Sequence, residues 1–197
     1  MALFLATLEQ AALAVIAHLQ QIPEFADEKI AVVGGMGIMR YTGGNRTTND
    51  IDFITTMYNA KEKLLTLPNT PFHERPRGFT YMPGGGNTAI YIDFMHEFQF
   101  PYLPDAAVPI NTVQGPSPPY ISPVDLMVFN IFSCGLYRTQ KQNERCATDA
   151  VRLLENLANP LVLTTDQKKP VQKGLEDLVR YSKNSEVWWK MRLGLEL

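Results

Sequence analysis

The sequence predicts an α/β (α+β) fold with a C-terminal helical part. Three observations lead there. Short β-rich runs at Lys29–Val33, Ile51–Thr55 and Ala89–His96 alternate with helical stripes. A connector over residues 101–123 holds seven prolines and cannot form an interior strand or helix. Beyond Pro123 every apolar pattern has helical spacing. The expected division is an α/β core over residues 1–116 and a helical region over 117–197 packed on it.

The elements follow in order. Leu5, Leu8, Ala12, Val15, Ile16 and Leu19 recur at spacings of three and four, a helical stripe that Pro23 ends. Lys29–Val33 is a buried strand entering a tight turn at Gly34-Gly35. Met36–Tyr41 forms a short helix, broken by Thr42-Gly43-Gly44-Asn45. Ile51–Thr55 is the second strand, and Asn59–Leu67 a helix stopped by Pro68. Residues 68–88, with Pro83-Gly84-Gly85-Gly86-Asn87, are loop or hairpin. Ala89–His96 is the third strand, apolar on both faces except for Asp93. Val124–Tyr137, Glu144–Leu157 and Gln167–Lys183 read as helices, with Thr164, Thr165 and Asp166 as capping candidates for the last.

Composition narrows the function classes. Of 197 residues, 45% are hydrophobic and 19% charged, which excludes wholesale disorder. A net charge of −2 argues against a protein that coats polyanions. Cys134 and Cys146 are too few for a disulfide scaffold and form no CxxC or Cys/His cluster. The apolar start lacks a basic n-region and is interrupted by Glu9, Gln10 and His18, so it reads as an amphipathic helix, not an export signal. The expectation is a cytoplasmic protein with no membrane association.

Chemistry concentrates between residues 33 and 93. Asp50 and Asp52 stand two apart on a strand, so their side chains share a face. Two carboxylates that close raise each other's pKa unless a cation lies between them. Mg²⁺ typically takes one or two carboxylates and completes its shell with water and phosphate. Asp93 stands alone among apolar neighbours, and a buried unpaired acid is costly. With its strand beside the Asp50/Asp52 strand, the three acids can share two metal ions. A Gly-Gly bend between strand and helix lets backbone amides approach a phosphate closely. Rival glycine motifs fit less well: there is no GxxxxGK[ST], and Arg40 occupies the third position of a dinucleotide fingerprint begun at Gly35-Met36-Gly37.

The string GG, short helix, Arg46-Thr47-Thr48-Asn49-Asp50-Ile51-Asp52-Phe53, then a lone Asp in a later strand, resembles the nucleotidyltransferase fold of the DNA polymerase beta superfamily. The likeness is nearest to AbiE-type and minimal nucleotidyltransferases, covers residues 30–96, and extends more weakly into the helical half. The resemblance implies a mixed sheet flanked by helices, and a nucleotidyltransferase that uses Mg²⁺ or Mn²⁺ and a nucleoside triphosphate. Asp50, Asp52 and Asp93 would hold metal, with Asp93 activating the acceptor hydroxyl. Gly34 and Gly35 would contact phosphates, and Arg46 would face the triphosphate. The AbiE-like lysine after the connector is replaced by Asn130, with Arg138 or Lys141 as substitutes from a neighbouring turn. Asp149 looks like that group's later helical aspartate. The acceptor is left open among RNA, a protein and a small molecule, and a homo-oligomer is compatible with the chain.

Plainer readings stand beside these. Asn49-Asp50 can be a turn with solvated acids, and Asp93 can pair with Arg75 or Arg77. His73 and His96 lack metal-ligand spacing. Trp188-Trp189 is a docking anchor before it is a stacking platform, and the basic residues of the last long helix are a solvated face. Two other functions compete: a binding or regulatory module that has lost catalysis, and a small-molecule tailoring enzyme whose lid is the 83–87 loop.

Overall fold

The computed structural model describes residues 3–44, 46–85, 88–137 and 139–196. The chain divides into two units, one comprising residues up to Gln99 with Leu103–Ile121, the other Phe100–Tyr102 with Ser122 onward.

The first unit is built on a six-stranded sheet of order β3-β4-β5-β2-β1-β6. Its strands are β1 (Lys29–Val33), β2 (Asp50–Thr55), β3 (Phe72–Arg75), β4 (Gly78–Tyr81), β5 (Ile90–His96) and β6 (Val108–Pro109). Among these strands β2 and β5 run parallel, and the other neighbours are antiparallel. That one parallel pair needs a crossover, supplied by helix α3 (Ala60–Leu65) and the β3–β4 hairpin.

Helix α1 (Leu5–Leu19) buries Leu8, Ala12, Val15, Ile16 and Leu19 of the predicted stripe, with Ala11, while Leu5 is partly buried. These residues share one apolar cluster with Ile30, Val32, Ile51, Phe53, Ile90 and Ile92 from the three central strands. Alternation along β2 therefore assigns Ile51 and Phe53 to the core and turns Asp50 and Asp52 to the other face. Each large apolar side chain so buried contributes roughly 1.5–3 kcal/mol.

Helix α2 covers Gly34–Tyr41, so it begins at the glycine pair and not at Met36. The Pro-rich connector departs from a purely extended link. It contributes the edge strand β6, and Val32 exchanges backbone hydrogen bonds with Pro119 and Ile121. Proline is tolerated there because an edge position leaves its missing N–H unneeded.

The second unit is helical: α4 (Pro123–Ser133), α5 (Gln140–Glu155), α6 (Thr165–Tyr181) and α7 (Glu186–Leu193). Side-chain caps start each one: Ser122, Thr139, Thr164 and Ser185. Thr164 and Gln167 form a reciprocal capping box. Helix α7 is absent from the sequence expectation. Its Trp189 is fully buried and donates its indole N–H to Ser182 Oγ at 2.9 Å, so the docking reading holds for that residue. Helices α4 and α6 touch at Gly174, where a Cβ would strike the Ile131 carbonyl. Cys134 and Cys146 are free and buried. Among the described residues, no helix is long and apolar enough to cross a membrane.

Candidate active site

Strand register gathers the acids. Val33 at the end of β1 pairs with Asp52, and Asp52 pairs with Asp93 across the parallel β2–β5 ladder. Residues paired in register project to the same face, and Asp50 joins them two positions upstream. The chain turns into α2 directly opposite Asp52. Gly34 takes φ +63°, and a Cβ there would land on the Asp52 carboxylate. Its glycine is therefore required twice, by the left-handed backbone and by the approach of the acid.

The local electrostatics follow from that crowding. Asp52 is half-buried, whereas Asp50 and Asp93 are exposed. Burial, reinforced by the Asp50 and Asp93 carboxylates, pushes the Asp52 carboxyl up to about 7. A hydrogen bond from the Gly35 backbone N–H and the charge of Arg46 act in the opposite direction. Thr48 Oγ1 donates to Asp50 Oδ1 and also stands 2.8 Å from where a Gly35 Cβ would be, with Arg46 Nη2 at 3.5 Å from the same point. Arg46 also donates to the Thr47 carbonyl at 2.6 Å.

Several expectations need correction. Asp93 is not a buried acid: its side chain is 58% exposed. Ile90, Ile92 and Phe94, the apolar residues that alternate with it, face the other side of the sheet. Its cationic partner is Lys61 of α3, at 3.5 Å, and not Arg75 or Arg77. Arg75 instead lies against Met82 Sδ. Among the described residues, no three His, Cys, Asp or Glu side chains draw together into a ready-made metal cage.

The remaining predicted residues lie elsewhere. Lys141 is exposed in the first turn of α5, in the second unit. Arg138 lies outside the described residues, as do Asn45, Gly86 and Asn87 of the expected loops. Asn130 donates its side-chain amide to the Leu126 carbonyl one turn back, at 2.8 Å. Asp149 is buried on α5, 3.6 Å from Arg152. His96 is held by the Thr56 carbonyl at 3.0 Å, stacks on Phe98 and meets Tyr58 at a tilt. Two neighbours of the acids went unread in the sequence, Thr48 and Lys61. Thr48 precedes the acid pair by two residues, a signal open to inspection. Lys61 comes from a separate helix and has none.

No protein-family model matches the chain, and no curated protein matches it in sequence. Among solved structures it is similar to an antigenic nucleotidyltransferase-like protein from Paracoccidioides brasiliensis, known from a crystal structure. Identity is 19%, the TM-score is 0.57, and the match covers 85% of this chain and 86% of that one. A second similar structure is the solution structure of the antibiotic-resistance factor ANT(2'')-Ia, at 10% identity and a TM-score of 0.36, covering 93% of this chain and 92% of that one. The chain has a nucleotidyltransferase-like fold.

Proposed function

We propose that this chain is a metal-dependent nucleotidyltransferase, which moves a nucleoside monophosphate from a nucleoside triphosphate to a hydroxyl acceptor, breaking the α–β phosphoanhydride bond and releasing pyrophosphate. The observation that carries the reading is the register Val33–Asp52–Asp93, which sets two acids side by side against the Gly34-Gly35 bend. AbiE-type relatives are the group whose motif the acids follow, and a cytoplasmic setting would supply the triphosphate.

The donor chemistry fits a hard cation. Asp50, Asp52 and Asp93 offer only carboxylate oxygens, and Mg²⁺ favours one or two of these with water and phosphate completing its shell. Acids on one face of a sheet, with room for water and phosphate, suit that habit. When bound, Mg²⁺ or Mn²⁺ would offset the charge that develops on the attacking and leaving oxygens. The chain's own groups have separate tasks. Asp50 and Asp52 would hold the cation, and Thr48 fixes the Asp50 carboxylate. The amides of the Gly34-Gly35 bend, at the positive end of α2, would receive phosphate oxygens. Arg46, beside Gly35, adds a full positive charge on that side. Asp93 would accept the proton of the acceptor hydroxyl or orient that hydroxyl.

Titration calorimetry with ATP, GTP, CTP and UTP in Mg²⁺ or Mn²⁺ tests this. Binding of at least one triphosphate is expected, with at least a tenfold loss on Asp50→Asn, as for removal of a charged ligand of about 1.4 kcal/mol or more. No binding to any of the four, together with a thermally neutral Asp50→Asn, rejects the reading. Asn130 favours one alternative, a fold that binds nucleotide without turnover. Its amide carries no charge and is committed to its own helix. Labelled product on any acceptor excludes that alternative.

A further inference from the structure

We propose that Lys61 is an exchangeable counter-ion for the acidic face, which holds Asp93 in the absence of a divalent cation and turns to the triphosphate when one is bound. This rests on the nucleotidyltransferase reading of Asp50, Asp52 and Asp93.

The geometry is specific. Lys61 is the second residue of α3, and its Nζ stands 3.5 Å from Asp93 Oδ1. The two residues are 32 apart in sequence and meet through the crossover that joins the parallel strands. The β4 ladder meets β5 only at Ile90 and Tyr91, so Asp93 lies beyond its reach. Lys61 meets Asp93 on the stretch of β5 that pairs with β2 and not with β4.

The energetics favour exchange. With side chains 43% and 58% exposed, the pair is wet, and wet ion pairs are weak. A doubly charged ion held by the same acids attracts Asp93 more strongly than an ammonium does and repels that ammonium. The released Nζ sits on a flexible four-carbon stem, as a compact point charge suited to a phosphate.

A counter-ion of this kind leaves a signature of opposite signs. Lys61→Met removes a competitor for the metal and a partner for the phosphates. In the full chain, Mn²⁺ alone, followed by electron paramagnetic resonance, should bind Lys61→Met roughly three- to tenfold more tightly than wild type. ATP, GTP, CTP or UTP, whichever wild type binds in saturating Mn²⁺, should bind about tenfold more weakly, as for loss of one charged contact. Lys61→Arg, which keeps the charge, should restore both values to within about twofold. Equal affinities in Lys61→Met and wild type overturn the proposal, as do shifts of the same sign, which mark general damage. Failure of wild type to bind Mn²⁺ and every triphosphate removes the reading of the acids itself, and the proposal with it.

Discussion

Asp52 in the α/β unit and Asp125 in the helical unit are two solutions to a carboxylate withdrawn from water. Asp125 is surrounded by donors. Tyr102 Oη gives it a hydrogen bond at 2.7 Å, Gln167 Nε2 at 2.9 Å and Ser122 Oγ at 2.7 Å. Asp52 is less buried, yet its nearest charged company includes Asp50 and Asp93. One region uses three polar side chains to satisfy the hydrogen bonds of a single acid. The other gathers acids on one face and leaves part of their repulsion standing. Buried acids are ordinarily satisfied, so the unresolved repulsion marks the place where something from outside the chain is expected to act.

Substitutions can break that contrast from either side. The largest effect belongs to Asp125→Ala, which strands three donors at once and should cost about 3 kcal/mol in denaturant unfolding. It should leave divalent-metal affinity unchanged. Next comes Gly34→Ala. Its φ of +63° and the approach of Asp52 oppose a methyl group, and the left-handed backbone alone costs roughly 1–2 kcal/mol. Triphosphate binding by calorimetry should fall below detection while the unfolding transition survives.

The smallest effect has the opposite sign. Asp52→Asn should stabilise the metal-free protein at pH 8 by about 1 kcal/mol, a figure reduced for the part of the group that water still reaches. The pH dependence has the same origin. Folding raises the Asp52 pKa from 3.8 to about 7, so the folded chain holds a proton that the unfolded chain releases. The stability from that proton is fully present below pH 3.8 and is lost as pH rises through about 7. Thermal melts without divalent ions should show this decline in wild type and a flatter profile in Asp52→Asn. A wild-type profile already flat would place Asp52 with Asp125, as a satisfied acid.

Much of this contrast was open to sequence reading, for identifiable reasons. Period-two alternation places Asp50 and Asp52 on one face whatever the strand's partners are. Gly34-Gly35 after KIAVV announces a sharp bend by residue type alone. Pairing across the sheet is another matter. Nothing local in Asp50–Thr55 says that Ile90–His96 lies parallel to it, because register is set by turns and by the distant apolar face. The exposure of Asp93 was misread for the same cause. Ile90, Ile92 and Phe94 on one face, with Tyr91 and Met95 on the other, suggest a strand buried on both sides, yet the face that carries Asp93 is open, its side chain 58% exposed. Lys61 was invisible because its relation to Asp93 exists only in three dimensions. Helix α7 escaped because eight residues hold too few apolar positions to show a period, although Ser185 stands as its cap.

Strand β6 has one more implication. Val108–Pro109 lies along Lys29–Ile30, and the backbone of Pro119 and Ile121 bonds to Val32 further on. The outer rim of β1 is thus sealed by prolines that offer no N–H to a newcomer. At the opposite rim, β3 presents exposed His73, Glu74 and Arg75, side chains that discourage lateral stacking. Neither border invites another strand, so two copies of this chain that met would have to do so by some means other than continuing one sheet into the next.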